Sequence, residues 1–89
     1  MEKEVIKKIL RKDSHQKVLD YIVKASGYQT GSLNKAGVIS SVSQEVFSGR
    51  EDRLARTTSV FELFYIHDLL ELNGREVKIT EKTLEYAKK

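Results

Sequence analysis

The sequence predicts a mixed α+β fold that is mostly helical and has a β-hairpin near its C-terminal end. Residues 70–72 and 77–79 alternate apolar and polar side chains, which is the pattern of half-buried strands. Asn73-Gly74 lies between these runs and predicts a hairpin over about residues 69–79, because a type I′ turn needs φ > 0 at both central positions. Thr80 stands where an N-cap is expected, and a closing helix is predicted over residues 80–89.

Residues 75–86, Arg-Glu-Val-Lys-Ile-Thr-Glu-Lys-Thr-Leu-Glu-Tyr, resemble the end of the wing and the start of the last helix in PadR-type and MarR-type winged-helix regulators. In those families a strand that ends in a Leu/Ile-Thr pair leads into a helix that begins Glu-Lys-Gly. Thr83 departs from that pattern, since the families carry Gly at this position. The resemblance covers about residues 68–86. It implies a winged helix-turn-helix fold, with the hairpin as the wing and DNA as the partner.

The composition is that of a small globular protein, and residues 1–89 are expected to form one domain. Apolar residues make up 39% of the chain and charged residues 33%. The sequence has no apolar run of the ~18 residues that a membrane span needs, and no cysteine for disulfides or thiolate metal ligands. Residues 1–10 lack the uncharged core of a signal peptide. We therefore expect a cytoplasmic protein without a membrane partner, associated with the nucleoid if it binds DNA.

Helical spacing of apolar residues predicts two helices in the first third of the chain. Residues 1–12 hold a helix with a narrow apolar stripe, and a helix this short has to pack against another surface. Asp13-Ser14 is expected to cap the second helix, and Gly27 is expected to end it as a C-cap. The first strand of a winged-helix sheet would then fall within residues 27–31.

Two further helices are predicted before the hairpin. Ser32 is expected to cap the third helix. Residues 28–49 carry only two formal charges, Lys35 and Glu45, which suggests a packed or contacting surface. The fourth helix, predicted over residues 51–69, is the longest. Its second half is apolar on nearly every side, which predicts a buried central helix.

The chain offers few groups for catalysis or metal binding. His15 and His67 are far apart and have no metal-ligand spacing. We expect His15 to be a solvated surface residue and His67 to be a hydrogen-bonded structural one. The glycines form neither a dinucleotide-binding pattern nor a P-loop. We therefore expect no enzymatic activity, no cofactor and no metal.

The sharpest functional pattern is a series of arginines three residues apart: Arg50, Arg53 and Arg56. On a helix, this spacing places the guanidinium groups along one side of the first two turns. A recognition helix presents its N-terminal residues in this way, and Arg there binds guanine O6 and N7. Thr57 and Ser59 are expected to contact phosphate oxygens or thymine methyl groups. A competing interpretation is a solvated helix start in which Glu51 and Asp52 pair with the arginines.

The tip of the predicted wing supplies a second group of candidate DNA contacts: Asn73, Gly74, Arg75 and Lys78. In winged-helix proteins this tip rests on the phosphate backbone or in the minor groove, and a glycine turn lets Arg75 approach DNA closely. Glu71 and Glu76 on the same hairpin oppose this role. Lys35 and Gln44 complete the predicted set.

The recognition helix has two possible positions. If Gly49 is the glycine of the helix-turn-helix, the fourth helix reads DNA, and the hairpin directly behind it favours this choice. If Gly27 is that glycine, recognition moves to residues 32–41, and the arginines contact the DNA backbone instead. The residues that would then face DNA are Ser32, Asn34, Lys35 and Ser40.

These patterns predict a double-stranded DNA-binding protein that acts as a small transcriptional regulator; a segregation or architectural protein with the same fold is an alternative. Residues 1–17 hold six basic residues against three acidic ones, so affinity should fall with salt. The apolar stripes of the first and last helices, with Leu84 and Tyr86, predict a homodimer on a two-fold-related site. The competing hypothesis is a small helical inhibitor or adaptor that binds a protein and no DNA.

Overall fold

Five helices and one three-stranded antiparallel sheet form an α+β fold in the computed structural model, which describes residues 2–87 of the chain. In chain order the elements are α1 (Glu2–Leu10), α2 (Asp13–Ala25), β1 (Gly31–Asn34), α3 (Lys35–Val46), α4 (Arg53–Ile66), β2 (Leu70–Asn73), β3 (Glu76–Ile79) and α5 (Glu81–Tyr86). The predicted extension of the closing helix to Lys88 and Lys89, and of the first helix to Met1, lies outside the described residues.

The first two helices pack on each other through apolar stripes. Ile6 and Leu10 of α1 are buried. The predicted cap at Asp13-Ser14 is wrong, because α2 already begins at Asp13 and its N-cap is Lys12, whose side chain makes no capping bond. The predicted end at Gly27 is confirmed. Gly27 has φ +74°, and the chain turns away through a hydrogen bond from the Tyr28 N–H to the Val23 carbonyl at 2.9 Å.

The sheet has the order β1-β3-β2, with β3 in the centre. Leu33 and Leu72 lie opposite Val77 from either side, so these three side chains share the face that packs on the helices. The other face carries polar and charged side chains, among them Lys78, whose Nζ lies 3.8 Å from Glu71 Oε2 on the neighbouring strand. The first strand spans Gly31–Asn34, so it overlaps the predicted 27–31 segment only at Gly31.

The hairpin is confirmed, but its turn is one residue further along the chain than predicted. Asn73 pairs with Glu76, so the two turn residues are Gly74 and Arg75. Gly74 has φ +63° and Arg75 does not have positive φ. That pattern belongs to a type II′ turn with glycine first, not to type I′ with Asn73 and Gly74 at the centre. The correction leaves Arg75 in the turn itself.

The third helix begins at Lys35, and the cap predicted at Ser32 is wrong. Ser32 pairs with Lys78 in the sheet. The cap is Asn34, whose Oδ1 accepts a hydrogen bond from the Gly37 N–H at 2.8 Å. Asn is among the best N-cap residues because its side-chain oxygen satisfies a free helical N–H.

The fourth helix spans Arg53–Ile66 and is shorter than the predicted 51–69. It ends in a left-handed residue, Asp68 at φ +61°, and the Leu69 N–H reaches back to the Phe64 carbonyl at 2.8 Å. The expectation that its second half is buried is wrong for the outer side of the helix. Its buried residues are Thr57, Val60, Phe61 and Phe64. Tyr65 and Ile66 are 51% and 69% exposed, because the core lies on one side of the helix only.

The closing helix begins at its predicted cap. Thr80 Oγ1 accepts a hydrogen bond from the Thr83 N–H at 3.3 Å. Thr83 is fully buried, and its hydroxyl donates to the Leu69 carbonyl at the entrance of β2. Gln16 Nε2 donates to the Tyr86 carbonyl at 3.1 Å, and Lys82 forms an ion pair with Glu2. The closing helix is thus fixed to α1, α2 and the sheet. Within residues 2–87, no helix has the length and apolar character to cross a membrane.

Candidate nucleic-acid interface

Two of the three arginines in the series pair with one carboxylate, that of Asp52, at the start of α4. Arg50 Nε lies 3.3 Å from Asp52 Oδ1, and Arg56 Nε lies 2.7 Å from Asp52 Oδ2. Arg53 instead donates through Nη1 to the carbonyl oxygen of Arg50 at 3.3 Å. Arg50 lies in the loop before α4, so the prediction that all three arginines line the first two turns of one helix is wrong. We call Arg50, Arg53 and Arg56 the arginine group.

Asp52 supplies the carboxylate with which two members of the arginine group pair. Desolvation alone would raise the pKa of its carboxyl, but the hydrogen bonds and charges of Arg56 and Arg50 hold that pKa below its ordinary value. The competing interpretation, in which acidic residues pair with the arginines at the helix start, therefore holds for Arg50 and Arg56, with Asp52 as the partner. These side chains remain about half exposed, and exposed ion pairs contribute little to stability. A phosphate group can therefore replace Asp52 as their partner at small cost.

The two hydroxyl residues predicted to touch DNA differ in position. Thr57 is fully buried, and its Oγ1 donates to the Arg53 carbonyl at 2.8 Å, so its predicted contact with DNA is wrong. Ser59 is exposed and lies beside Arg56 on the wall of a groove. The helical period explains the difference, because residue 57 falls on the same side as the buried Val60 and Phe64.

The outer surface of α4 has an apolar character that the sequence pattern did not reveal. Leu54, Tyr65 and Ile66 are 54%, 51% and 69% exposed. Glu62 lies on the same side and is exposed. A 3.6-residue period centred on the buried residues of α4 places Ile66 opposite the core and Leu54 and Tyr65 on one flank, but the sequence alone does not show which side meets the core.

A second cationic group lies at the hairpin turn. The Lys35 N–H donates to the Arg75 carbonyl at 2.8 Å, which joins the first residue of α3 to the turn. Lys35 and Arg75 line one cavity of about 400 Å³ together with Asn34, Ala36, Ile39 and Gly74. Asn73 beside the turn is exposed, as are Lys78 on β3 and Gln44 near the end of α3. We call Lys35 and Arg75 the turn pair.

The alternative recognition surface, residues 32–41, includes Lys35 of the turn pair. Ser32, Asn34 and Ser40 are exposed and Lys35 is half-buried. Asn34 already uses its Oδ1 to cap α3, which leaves its amide nitrogen as the group that can reach a ligand.

A groove of about 540 Å³ separates the start of α2 from α4. The junction of α1 and α2 contributes Lys12, Ser14 and His15, and α4 contributes residues that include Arg56 and Ser59. The expectation of a solvated His15 is wrong, since its Nδ1 lies 3.0 Å from the Ile9 carbonyl and its ring packs edge-on to Phe64. His67 is half-buried in the turn that ends α4. Within residues 2–87, no three His, Cys, Asp or Glu side chains come together as metal ligands would.

Comparison with protein-family models, with curated proteins and with solved structures finds no match for this chain.

Proposed function

We propose that this protein is a winged helix-turn-helix domain that binds double-stranded DNA as a small transcriptional regulator. The observation that carries the proposal is the order of its elements. A helix (α2) and a strand (β1) precede two packed helices (α3 and α4), and a hairpin (β2 and β3) follows α4 directly. The third strand pairs with β1 and closes the sheet in the order β1-β3-β2. In that fold, α4 takes the position of the recognition helix and the hairpin that of the wing.

The charge distribution supports a phosphate ligand. The arginine group lies at the N-terminal end of α4, where helix N–H groups also favour an anion. Of the turn pair, Arg75 adds a cation at the tip of the hairpin, and Lys35 adds one at the start of α3. Duplex DNA offers a dense row of negative charge to both groups, and each neutralised phosphate adds about 0.9 to the salt dependence of binding.

The test is a duplex-binding titration monitored by fluorescence anisotropy between about 50 and 200 mM salt. The unmodified protein should bind a random duplex at low salt, and its affinity should fall steeply with salt. Arg53→Gln/Arg75→Gln should lower both affinity and slope. Lys17→Gln/Lys24→Gln is the matched control. It removes the same two charges from two side chains that line a different groove, between α2 and the end of α3.

An absence of binding at the lowest salt would overturn the proposal. Equal losses in the two double variants would assign binding to net charge and remove the proposed interface.

The outer surface of α4 favours a second candidate function. Leu54, Tyr65 and Ile66 are exposed on the helix that would read DNA, and an apolar helix face is a common anchor for a protein partner. A small adaptor or inhibitor would use this surface. That function is favoured if Arg53→Ala/Arg56→Ala binds duplex as the unmodified protein does, while Tyr65→Ser/Ile66→Ser loses a purified protein partner.

A further inference from the structure

The first helix carries a row of exposed cations that the proposed interface does not use. Five basic side chains project from α1 and the residues directly after it: Lys3, Lys7, Lys8, Arg11 and Lys12. The buried Ile6 and Leu10 fix one side of α1 in the core, so that Lys8 and Arg11 are directed away from it and Lys3 and Lys7 lie beside it. This packing sets the direction in which the cations point, and we call them the α1 basic face.

Acidic neighbours do not neutralise the α1 basic face. Glu2 pairs with Lys82 of α5, and Asp13 pairs with Lys17 of α2 at 3.1 Å. The ion pairs within residues 2–87 thus leave the five cations in solvent, with Glu4 as the nearby carboxylate on the same helix. A surface with this excess of one charge attracts a polyanion.

The α1 basic face and the arginine group each contribute a residue to the same groove. Lys12 lines the groove of about 540 Å³ whose opposite wall holds Asp52 and Arg56. Cations therefore border this groove on both sides. Residues 3 to 11 of α1 extend this charge over about 12 Å of helix, a length along which each strand of a duplex places several phosphates.

We propose that the α1 basic face binds the phosphate backbone of the same duplex that the arginine group contacts, so that the DNA contact continues across the groove onto α1. This inference rests on the proposed function. It gives α1 a role different from the homodimer contact that its apolar stripe predicts. Of the apolar residues of α1, Val5 remains 42% exposed while Ile6 and Leu10 are covered within the chain, so the exposed surface of this helix is mainly cationic.

The experiment compares variants that each lower the net charge of +3 by two units. Lys8→Gln/Arg11→Gln removes cations of the α1 basic face. The matched control Lys24→Glu lowers the charge by the same two units at an exposed lysine of α2 that lines a separate groove, and it leaves the Asp13–Lys17 pair intact. Duplex affinity is measured by fluorescence anisotropy at several salt concentrations, and thermal unfolding checks that every variant is folded. Lys3→Gln/Lys7→Gln provides a second, independent variant of the same face.

We expect both α1 variants to lose about tenfold or more in affinity at about 100 mM salt, and to lower the salt slope by about 1 to 2. The control should change affinity less than about threefold and leave the slope unchanged. If the unmodified protein binds duplex but the α1 variants match the control, this inference is overturned and the proposed function stands. If the unmodified protein does not bind duplex at low salt, both fail.

Discussion

The carboxylate of Asp52 lies 2.7 Å from Arg56 Nε, one helical turn away, and the same carboxylate reaches Arg50 at 3.3 Å. Two of the three cations of the arginine group are therefore paired with a carboxylate of the same chain. The side chains of Asp52, Arg50 and Arg56 are about half exposed. Because exposed ion pairs contribute little to stability, either arginine can exchange Asp52 for another anion at small cost. Asp52 acts as an internal competitor of phosphate, and this relationship yields two predictions.

Asp52→Asn should increase duplex affinity. The substitution keeps the shape of the side chain and removes the charge that competes with phosphate for Arg50 and Arg56. We expect an increase of about three- to tenfold near 100 mM salt, measured by fluorescence anisotropy. Glu45→Gln is the matched control, since it removes the same charge from an exposed residue that lines the groove between α2 and α3. An equal increase in both variants would show that only net charge matters.

The pKa of Asp52 should lie below its ordinary value of 3.8 and should rise when Arg56 is replaced. Hydrogen bonds from Arg56 and Arg50 favour the ionised carboxylate over the protonated one. The folded-state pKa is lowered, so these pairs favour folding at pH above the unfolded value, and this contribution is lost as pH falls through the folded pKa. Carboxyl NMR titration of the unmodified protein and of Arg56→Gln measures both values. Identical midpoints in the two proteins would contradict the pairing.

Thr83→Val should destabilise the fold although it preserves the volume of the side chain. The Thr83 hydroxyl donates to the Leu69 carbonyl in a fully buried environment, and the substitution leaves that carbonyl without this donor. We expect a loss of about 1 to 3 kcal/mol in the free energy of unfolding, measured by denaturant titration. Thr58→Val is the control, since Thr58 is exposed and bonds only within its own helix. A loss no larger than that of the control would contradict the role of Thr83.

Gly74→Ala should destabilise the hairpin. Gly74 has φ +63°, and a Cβ added there would meet open space. The loss of stability on substitution therefore comes from the backbone conformation and not from a clash. We expect a loss of about 1 kcal/mol in the free energy of unfolding. Gly31→Ala is the matched control, because a Cβ there also meets open space and its φ is not left-handed. It should be neutral or slightly stabilising. Equal effects at the two glycines would contradict the turn assignment.

The homodimer stays a prediction. The first and last helices expose less apolar surface for a dimer contact than their apolar stripes in the sequence suggested. Ile6 and Leu10 are buried within the chain, and Leu84 and Tyr86 are half-buried against the core. Sedimentation at micromolar concentration without DNA tests the homodimer: a mass near twice the monomer value of 10.2 kDa supports it, and the monomer mass removes it. On a duplex with a two-fold-related site, two chains should bind per duplex. One chain per duplex at every ratio would remove the dimer.

Local patterns in the sequence predicted the α+β class, the hairpin, the cap at Thr80 and the end of α2 at Gly27. Each depends on residues close together in the chain, such as alternation on both sides of a glycine turn. The position of the turn was missed by one residue, because it follows from the pairing of Asn73 with Glu76 across the hairpin. The end of α4 was missed because Asp68, not a glycine, takes the left-handed conformation there.

The sequence predicted which residues would belong to the candidate site better than it predicted which residues each of them would contact. The spacing of Asp52 and Arg56 by four residues signals an ion pair, and the competing interpretation included it. The burial of Thr57 depends on which side of α4 meets the core, which a helix with apolar residues on several sides does not reveal. The contact between Lys35 and Arg75 joins residues 40 positions apart through the sheet, so no local pattern could indicate it.

The most direct test of the proposed interface is NMR titration of the isotope-labelled protein with a short duplex. We expect the largest amide shift changes at residues 50–56 and at the turn pair. The amides around Lys24 and Tyr28, at and after the C-terminal end of α2, should change little. Unchanged spectra in excess duplex at low salt, or changes confined to the surface around Lys24 and Tyr28, would contradict the account.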